Sequence, residues 1–417
     1  MPPEKLRISA SNPLATYFGL FLLLNAQSML AHARRGLTRL IHIPTLSRRN
    51  MSSAIASEVA TPHDTPGSAT PVADVEVDAS AEAGPSNGVR MSVIDKWLKP
   101  NGPPKGTSFG ARKLGGEDDV WANNAWDHAE LPDDFDQRAA EIMEQHKSNP
   151  VPEDKTADYN ARPAAFWNKF YSHHADQFFK DRRWLPLEFP ELVACCEPEA
   201  GPKTVLEVGC GAGNTVFPLL MHNENPDLRL VATDYSSTAV NVVKRGELYP
   251  KAPHGIGEIR AAVWDITSKP DPESGVDYSL PEGVEPGSID VLTVIYVLSA
   301  LHPKEWEQAM HNLYTALKPG GLLCVRDYGR HDLAQLRIKK ERLLDVENFY
   351  IRGDGTRVYF FEKEQLGGLM TAPPRGEAED KHMFEISQLA EDRRLLVNRK
   401  EKLQMYRIWL QAKAYKQ

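Results

Sequence analysis

The chain has 417 residues, with 49 Lys and Arg against 57 Asp and Glu, a net charge of −8, and 41% apolar residues. That length holds one large domain with its own core plus extensions, and the acidic total argues against a protein that binds nucleic acid by overall charge. Four cysteines, Cys195, Cys196, Cys210 and Cys324, show no Cys-x-x-Cys pair and no metal-ligand spacing with histidine, which excludes a disulfide framework and predicts reduced thiols in an intracellular compartment with no metal site.

Residues 1–50 carry a single acid, Glu4, and seven Lys or Arg. The apolar run Leu14 to Leu30 is broken by Asn25, Gln27 and Ser28 and is marginal in length for a bilayer span, so no stable membrane association is expected. Two readings of this segment stand side by side. It is a mitochondrial targeting segment, or translation starts at Met51 and the protein is cytoplasmic. Residues 51–90 are rich in Ala, Ser, Pro, Thr and Asp, hold no aromatic residue, and read as a disordered linker. Residues 91–160 read as a small N-terminal module. Its segments Phe109 to Arg112 and Val120 to Asp127 are aromatic and polar, and Asp136 to Lys147 has helical spacing. From 161 to 417 a single catalytic domain is expected. It opens on a stripe in which Trp167, Phe170, Tyr171 and His174 share one helical face. The stripe packs on a sheet, lids a ligand site, or does both.

The centre of the chain is the run Val205-Leu206-Glu207-Val208-Gly209-Cys210-Gly211-Ala212-Gly213-Asn214. It predicts a buried strand entering a glycine turn, followed by a helix over 215–221. The turn is Gly-x-Gly-x-Gly and not the dinucleotide pattern, because Asn214 stands where the third glycine of that pattern belongs. This is the pattern of class I S-adenosylmethionine (SAM) methyltransferases, whose cofactor has no pyrophosphate to cradle. Further strands are predicted over Leu228 to Thr233, ending in Asp234, which is placed for both ribose hydroxyls, and over Ile259 to Val263. Asp265 follows the latter, placed for an adenine amino group, with Ile266 against the ring. The apolar run Ile289 to Val297 predicts a strand buried on both faces, and Leu322 to Val325 another after the turn 317–321. Strands alternating with helices give a doubly wound α/β fold with ligands at the carboxyl ends of the strands. Helix capping is the competing role for Asp234 and Asp265.

Basic residues gather late in the chain. Arg393, Arg394, Arg399, Lys400, Lys402, Arg407, Lys413 and Lys416 face only Glu391, Asp392 and Glu401, which permits phosphate contacts despite the acidic total.

From about residue 105 to the end, the chain resembles the tRNA N3-cytidine methyltransferase family. The motifs are Phe-Trp-Asn-Lys-Phe-Tyr (166–171), Phe-Phe-Lys-Asp-Arg-Arg-Trp-Leu (178–185), Leu-Glu-Val-Gly-Cys-Gly-Ala-Gly-Asn (206–214), Val-Leu-Ser-Ala-Leu-His-Pro (297–303), Arg-Asp-Tyr-Gly (326–329) and Asn-Phe-Tyr-Ile-Arg-Gly-Asp-Gly-Thr-Arg (348–357). Asn-Ala-Trp-Asp (124–127) resembles the branch acting on threonine-type tRNA, with serine or arginine tRNA as further candidates. The resemblance implies a Rossmann-like, seven-stranded, mostly parallel sheet with an antiparallel C-terminal hairpin, and a small N-terminal tRNA-binding extension. It implies SAM as cofactor, held by Trp167, Tyr171, Gly209, Gly211, Asp234, Asp265, Ile266 and Ile295. It implies tRNA, presenting its anticodon stem-loop, as partner, and admits a protein partner such as an aminoacyl-tRNA synthetase. The tail hairpin, about Phe384 to Ala412, and the N-terminal module would hold the tRNA body through phosphates.

Cytosine N3 keeps its lone pair at neutral pH, so methyl transfer to it needs positioning more than a base. The product is cationic, which makes Asp327 the candidate for charge stabilisation, Arg326 for a phosphate or the base O2, and Tyr328 for stacking. The alternative for Arg326 and Asp327 is an internal pair that shapes the site. His302 reads as structural. Two other classes compete: a methyltransferase of the same fold acting on a protein or small molecule, and a non-catalytic subunit that keeps the fold.

Overall fold

The computed structural model describes residues 91–98, 112–174, 182, 184–251 and 254–417. The readings of 1–50 and 51–90, and the motif residues Phe109 to Ala111, Phe178 to Asp181 and Arg183, lie outside the described residues.

Helix α1 (Val93–Leu98) precedes strand β1 (Ala125–Asp127) and helices α2 (Phe135–Lys147), α3 (Glu153–Ala161) and α4 (Pro163–His174). Short turns α5 (Leu185–Glu188) and α6 (Pro190–Ala194) follow. The alternating part is β2 (Lys203–Val208), α7 (Val216–His222), β3 (Leu228–Asp234), α8 (Ser237–Lys244), β4 (Glu258–Val263), β5 (Ile289–Ile295), α9 (Trp306–Ala316) and β6 (Leu317–Tyr328). The chain ends with α10 (Leu333–Leu336), the small ribbon β7 (Phe349–Ile351) and β8 (Arg357–Tyr359), α11 (Lys363–Thr371), and the hairpin β9 (Phe384–Asn398) and β10 (Leu403–Lys416).

Among the described residues one large sheet runs in the order β1-β9-β10-β6-β5-β2-β3-β4. The five strands from β6 to β4 are parallel, and β10 returns antiparallel to β6. The family resemblance implied seven strands. The eighth is β1, the Ala-Trp-Asp of the N-terminal segment, which pairs Ala125↔Leu396 to Asp127↔Arg394 on the outer edge of β9. Buried side chains alternate between two layers, as strand geometry requires. On β2, β5 and β6, residues such as Leu206, Leu292 and Leu323 pack on one face, and Val205, Val291 and Cys324 on the other.

Two predicted bounds shift for local reasons. The strand expected over 289–297 stops at Ile295 because Tyr296 adopts φ +59°, a left-handed conformation that breaks the pleat. The turn expected at 317–321 is the irregular start of β6, where Leu317 still pairs with Ile289.

The hairpin sets the shape beside the site. Trp409 pairs with Tyr328 at the carboxyl end of β6, but β9 and β10 continue for six further pairs, Ile408↔Arg393 to Leu403↔Asn398. At about 3.4 Å per residue this overshoot is roughly 20 Å long. Strand β1 lies against it, and Phe135 and Ala139 of α2 pack on Ile408. The eight late cations are not all available. Arg407 binds Asp332, Lys413 binds Glu191, and Arg394 contacts Asp127, Glu188 and Asp392. Arg399, Lys400 and Lys402 remain exposed at the tip.

Candidate functional site

The glycine turn leaves β2 with Gly209 at φ +65° and Gly211 at φ +53°. A Cβ on Gly209 would lie 2.3 Å from Val297 Cγ2, and one on Gly211 would lie 2.5 Å from the Tyr171 hydroxyl. These positions exclude side chains, so the backbone itself lines the cleft. Beneath the turn, Glu207 is buried and accepts from Val216 N at 3.1 Å and from Arg182 Nη1 at 3.2 Å. Burial pushes the Glu207 carboxyl up, and the Arg182 charge opposes it. Arg182 also donates to Thr215. Glu207 therefore anchors the turn, a role its place two residues before the first glycine does not reveal. Cys210 is buried and its thiol is pushed up by desolvation, which suits a packing residue.

Asp234 closes β3. Its Oδ2 accepts from Gly211 N at 3.0 Å and its Oδ1 from Ser236 N at 2.8 Å. Ser236 itself supplies the N-cap of α8, accepting from Ala239 N. Asp234 thus orients the glycine turn, and a carboxylate retains further lone pairs for a ligand. Burial pushes its carboxyl up to about 6 against those two N–H donors. Asp265 follows β4 half-buried, with Oδ1 held by Thr267 N and Oγ1 at 2.8 and 2.7 Å, and Ile266 is buried beside it. Ile295 is buried at the end of β5.

Helix α4 covers the turn. The rings of Trp167 and Tyr171 stack with centroids 6.0 Å apart, and Phe170 meets Tyr171 edge-on at 5.2 Å. Phe170, Tyr171 and Ala239 form one buried cluster, with Trp167 half-exposed against it. Asn168 Oδ1 accepts from Ser236 Oγ at 2.8 Å and Thr238 N at 3.2 Å, tying α4 to α8. The stripe packs as expected, and Tyr171 lies directly over Gly211. Sequence periodicity marked the stripe but not Asn168, which lies off it.

Arg326 and Asp327 do not pair with each other. Adjacent residues on a strand point to opposite faces. Arg326 turns to the face of Cys324, between the rings of Trp184 and Trp409 at 4.9 and 5.2 Å, and donates to Gln411 Oε1 at 2.6 Å and to Asp392. The alternative of an internal Arg326–Asp327 pair is not realised: Arg326 pairs with Asp392, and its buried guanidinium is taken up by Asp392, Gln411 and the two tryptophan rings. Asp327 is fully buried on the other face. It accepts from Ser299 N at 2.9 Å and from its neighbour Tyr328 N at 2.8 Å, and burial pushes it up to about 6. Tyr328 is half-buried, its ring 4.8 Å from that of Tyr296. Tyr296, strained at φ +59° where β5 ends, escaped the sequence reading because nothing in residue type signals a left-handed tyrosine. His302 bridges Lys304 N and Asp345 at 3.1 Å each and caps the short turn Pro303–Glu305, a structural role.

The glycine cradle, the oriented Asp234, Asp265, Ile295 and the Asp327–Tyr328 pair all lie at the carboxyl ends of β2 to β6, where doubly wound sheets bind ligands. This donor set fits a nucleoside cofactor: a backbone without side chains for its chain, a carboxylate for its ribose, and an apolar wall after β4. Among the described residues no metal cluster is present and no helix is long and apolar enough to cross a membrane.

A family model described as a methyltransferase domain matches residues 206–323. The chain is 48% identical over 305 residues to the tRNA(Thr) (cytosine(32)-N(3))-methyltransferase of Saccharomyces cerevisiae, covering 73% of this chain and 45% of that protein. It is 46% identical over 309 residues to the tRNA N(3)-methylcytidine methyltransferase trm140 of Schizosaccharomyces pombe, with 74% and 92% covered. It is 39% identical over 339 residues to the tRNA N(3)-cytidine methyltransferase METTL2 of Danio rerio, with 74% and 89% covered. The chain thus spans under half of the first relative and most of the other two.

Proposed function

This chain belongs to the tRNA N3-cytidine methyltransferase family, and on that premise we propose that it methylates N3 of cytidine 32 in the anticodon loop of threonine-type tRNA, with SAM as the methyl donor. The names of the relatives favour tRNA over a protein or small molecule as acceptor. The observation that carries the reading is the juxtaposition, at the carboxyl ends of β2, β5 and β6, of the glycine cradle with Tyr328, Tyr296 and the buried Asp327.

When bound, SAM supplies an electrophilic methyl group on a sulfonium centre. The chain's own residues hold and shield. Gly209 and Gly211 admit the cofactor chain, Asp234 binds the ribose, Asp265 and Ile266 take the adenine, Ile295 touches the cofactor from β5, and Trp167 with Tyr171 excludes water from above. An unstacked cytosine lies against Tyr328, as single-stranded loop bases do on aromatic rings. Asp327 acts from behind the floor of this pocket. Its ionised carboxylate favours the cation that develops on the base, and its two N–H contacts fix the turn at Ser299 and the backbone of Tyr328. Arg326 is a positioning residue that locks β6 to β9 and β10 through Asp392 and Gln411. The exposed cations Arg399, Lys400 and Lys402 extend past the pocket on the hairpin, where stem phosphates of a docked tRNA would pass.

The test is methyl transfer from labelled SAM to total tRNA, followed by mass spectrometry of the nucleosides. 3-Methylcytidine is the expected product. Incorporation into another nucleoside, or none on any tRNA with SAM binding intact, overturns the reading.

A further inference from the structure

The ribbon β7–β8 belongs to no role assigned so far. Its turn carries Arg352, whose guanidinium lies 5.4 Å from the centre of the Tyr328 ring. The turn is held firmly. Arg352 N donates to Thr356 O at 2.8 Å, and Asp354 Oδ1 takes Thr356 N and Oγ1 at 2.9 and 2.7 Å. Gly355, at φ +85°, presses its open side on α4, where an added Cβ would lie 2.3 Å from the Phe166 ring. The arginine is therefore presented by a rigid turn docked against the helix that lids the cofactor cleft.

Three other arginines of this part of the chain are neutralised: Arg326 by Asp392, Arg330 by Glu362 and Arg357 by Glu305. Among the described residues Arg352 forms no ion pair, and its side chain is half-buried with one long contact to Thr356 Oγ1 at 3.5 Å. Asp327 is near enough that, against the larger upward effect of its burial, the Arg352 charge lowers its carboxyl.

We propose that Arg352 binds a phosphate flanking the acceptor cytidine and so fixes the unstacked nucleotide against Tyr328. The proposal rests on the reading of the site given above. Charge decides between phosphate and base. A guanidinium has donors only, and on the base it would have to bind O2, where its positive charge would oppose the cation developing at N3. On a phosphate the same charge costs the reaction nothing, and the planar fork matches two phosphate oxygens. A phosphate contact is made equally in ground and transition states, so it appears in KM and not in kcat.

The experiment is steady-state kinetics of Arg352→Ala on tRNA at several salt concentrations, with SAM-induced thermal stabilisation as the control for fold and cofactor site. The expected result is a KM for tRNA raised roughly 10- to 100-fold, as for loss of a charge-assisted hydrogen bond, with kcat within about twofold. The salt dependence of tRNA binding should also flatten by roughly one contact. An unchanged KM, or a loss confined to kcat, overturns the proposal. Should the alanine variant not fold, Arg352→Gln keeps a long polar side chain without the charge, and the same split decides. Failure of the wild-type chain to form 3-methylcytidine would instead remove the underlying reading, so the two failures are distinguishable.

Discussion

Gly211→Ala tests how the lid helix and the glycine turn are joined. The substitution meets two penalties. The backbone at φ +53° is left-handed, which costs an alanine about 1–2 kcal/mol. The new Cβ would also lie 2.5 Å from the Tyr171 hydroxyl. Tyr171 is 5% exposed and wedged between Phe170 and Trp167, so it cannot swing away freely, and overpacking of this kind costs roughly 1–3 kcal/mol. The sum, roughly 2–5 kcal/mol, should appear in urea denaturation of the apo protein. Calorimetric titration with SAM should show weaker binding, because the displaced ring is the one that overlies the turn. Tyr171→Phe separates the two penalties. Without the hydroxyl the nearest ring atom, Cζ, stands 3.4 Å from the Cβ, an ordinary contact. In that background Gly211→Ala should cost only its backbone share, about 1–2 kcal/mol, and the difference between backgrounds is the coupling of lid to turn. Equal costs in both backgrounds would refute the contact as the cause.

Three further outcomes follow from the site. Asp234 has a folded pKa raised to about 6 from 3.8, so its neutral form favours the fold; that contribution is complete below 3.8 and is lost as pH rises through 6, about 3 kcal/mol in all. SAM affinity should run the other way, strengthening as pH passes 6; Asp234→Asn should abolish that trend in calorimetry and remove its share of the stability trend in denaturation, leaving the share of Asp327, which burial also raises to about 6. Asp327→Asn should lower kcat roughly 10- to 100-fold with SAM affinity within about twofold; wild-type turnover would remove Asp327's charge from the mechanism. Replacing Lys400 and Lys402 together by alanine should weaken tRNA binding and reduce its log–log salt slope by about two phosphate contacts at unchanged SAM affinity, measured by gel shift; an unaltered slope places the tRNA elsewhere.

The local chemistry of the cofactor half was legible because it depends on short range. A glycine turn between a buried strand and a helix, and an acid closing or following the next two strands (Asp234 and Asp265), are set by backbone sterics and by apolar runs that admit no other period. The same short range explains the failures. Adjacency suggested that Arg326 and Asp327 pair, yet a pleated strand sends neighbours to opposite faces, and the partner of Arg326 is Asp392, 66 residues away. Counting cations left all eight of the tail available for phosphates, but Arg394, Arg407 and Lys413 are turned inward by the sheet and neutralised by acids that include Asp127 of β1, Asp332 of the β6–α10 loop and Glu191 of α6. The strained Tyr296, the grip of Asn168 on α8, and the docking of Gly355 that brings Arg352 over Tyr328 leave no mark in residue spacing. They are long-range contacts, made only once the chain has closed its sheet. The amino-acid order settles which kind of ligand the cleft can hold. The packing of distant segments settles which charges remain free to meet a substrate, because each ion pair in the interior removes one candidate that composition alone would count.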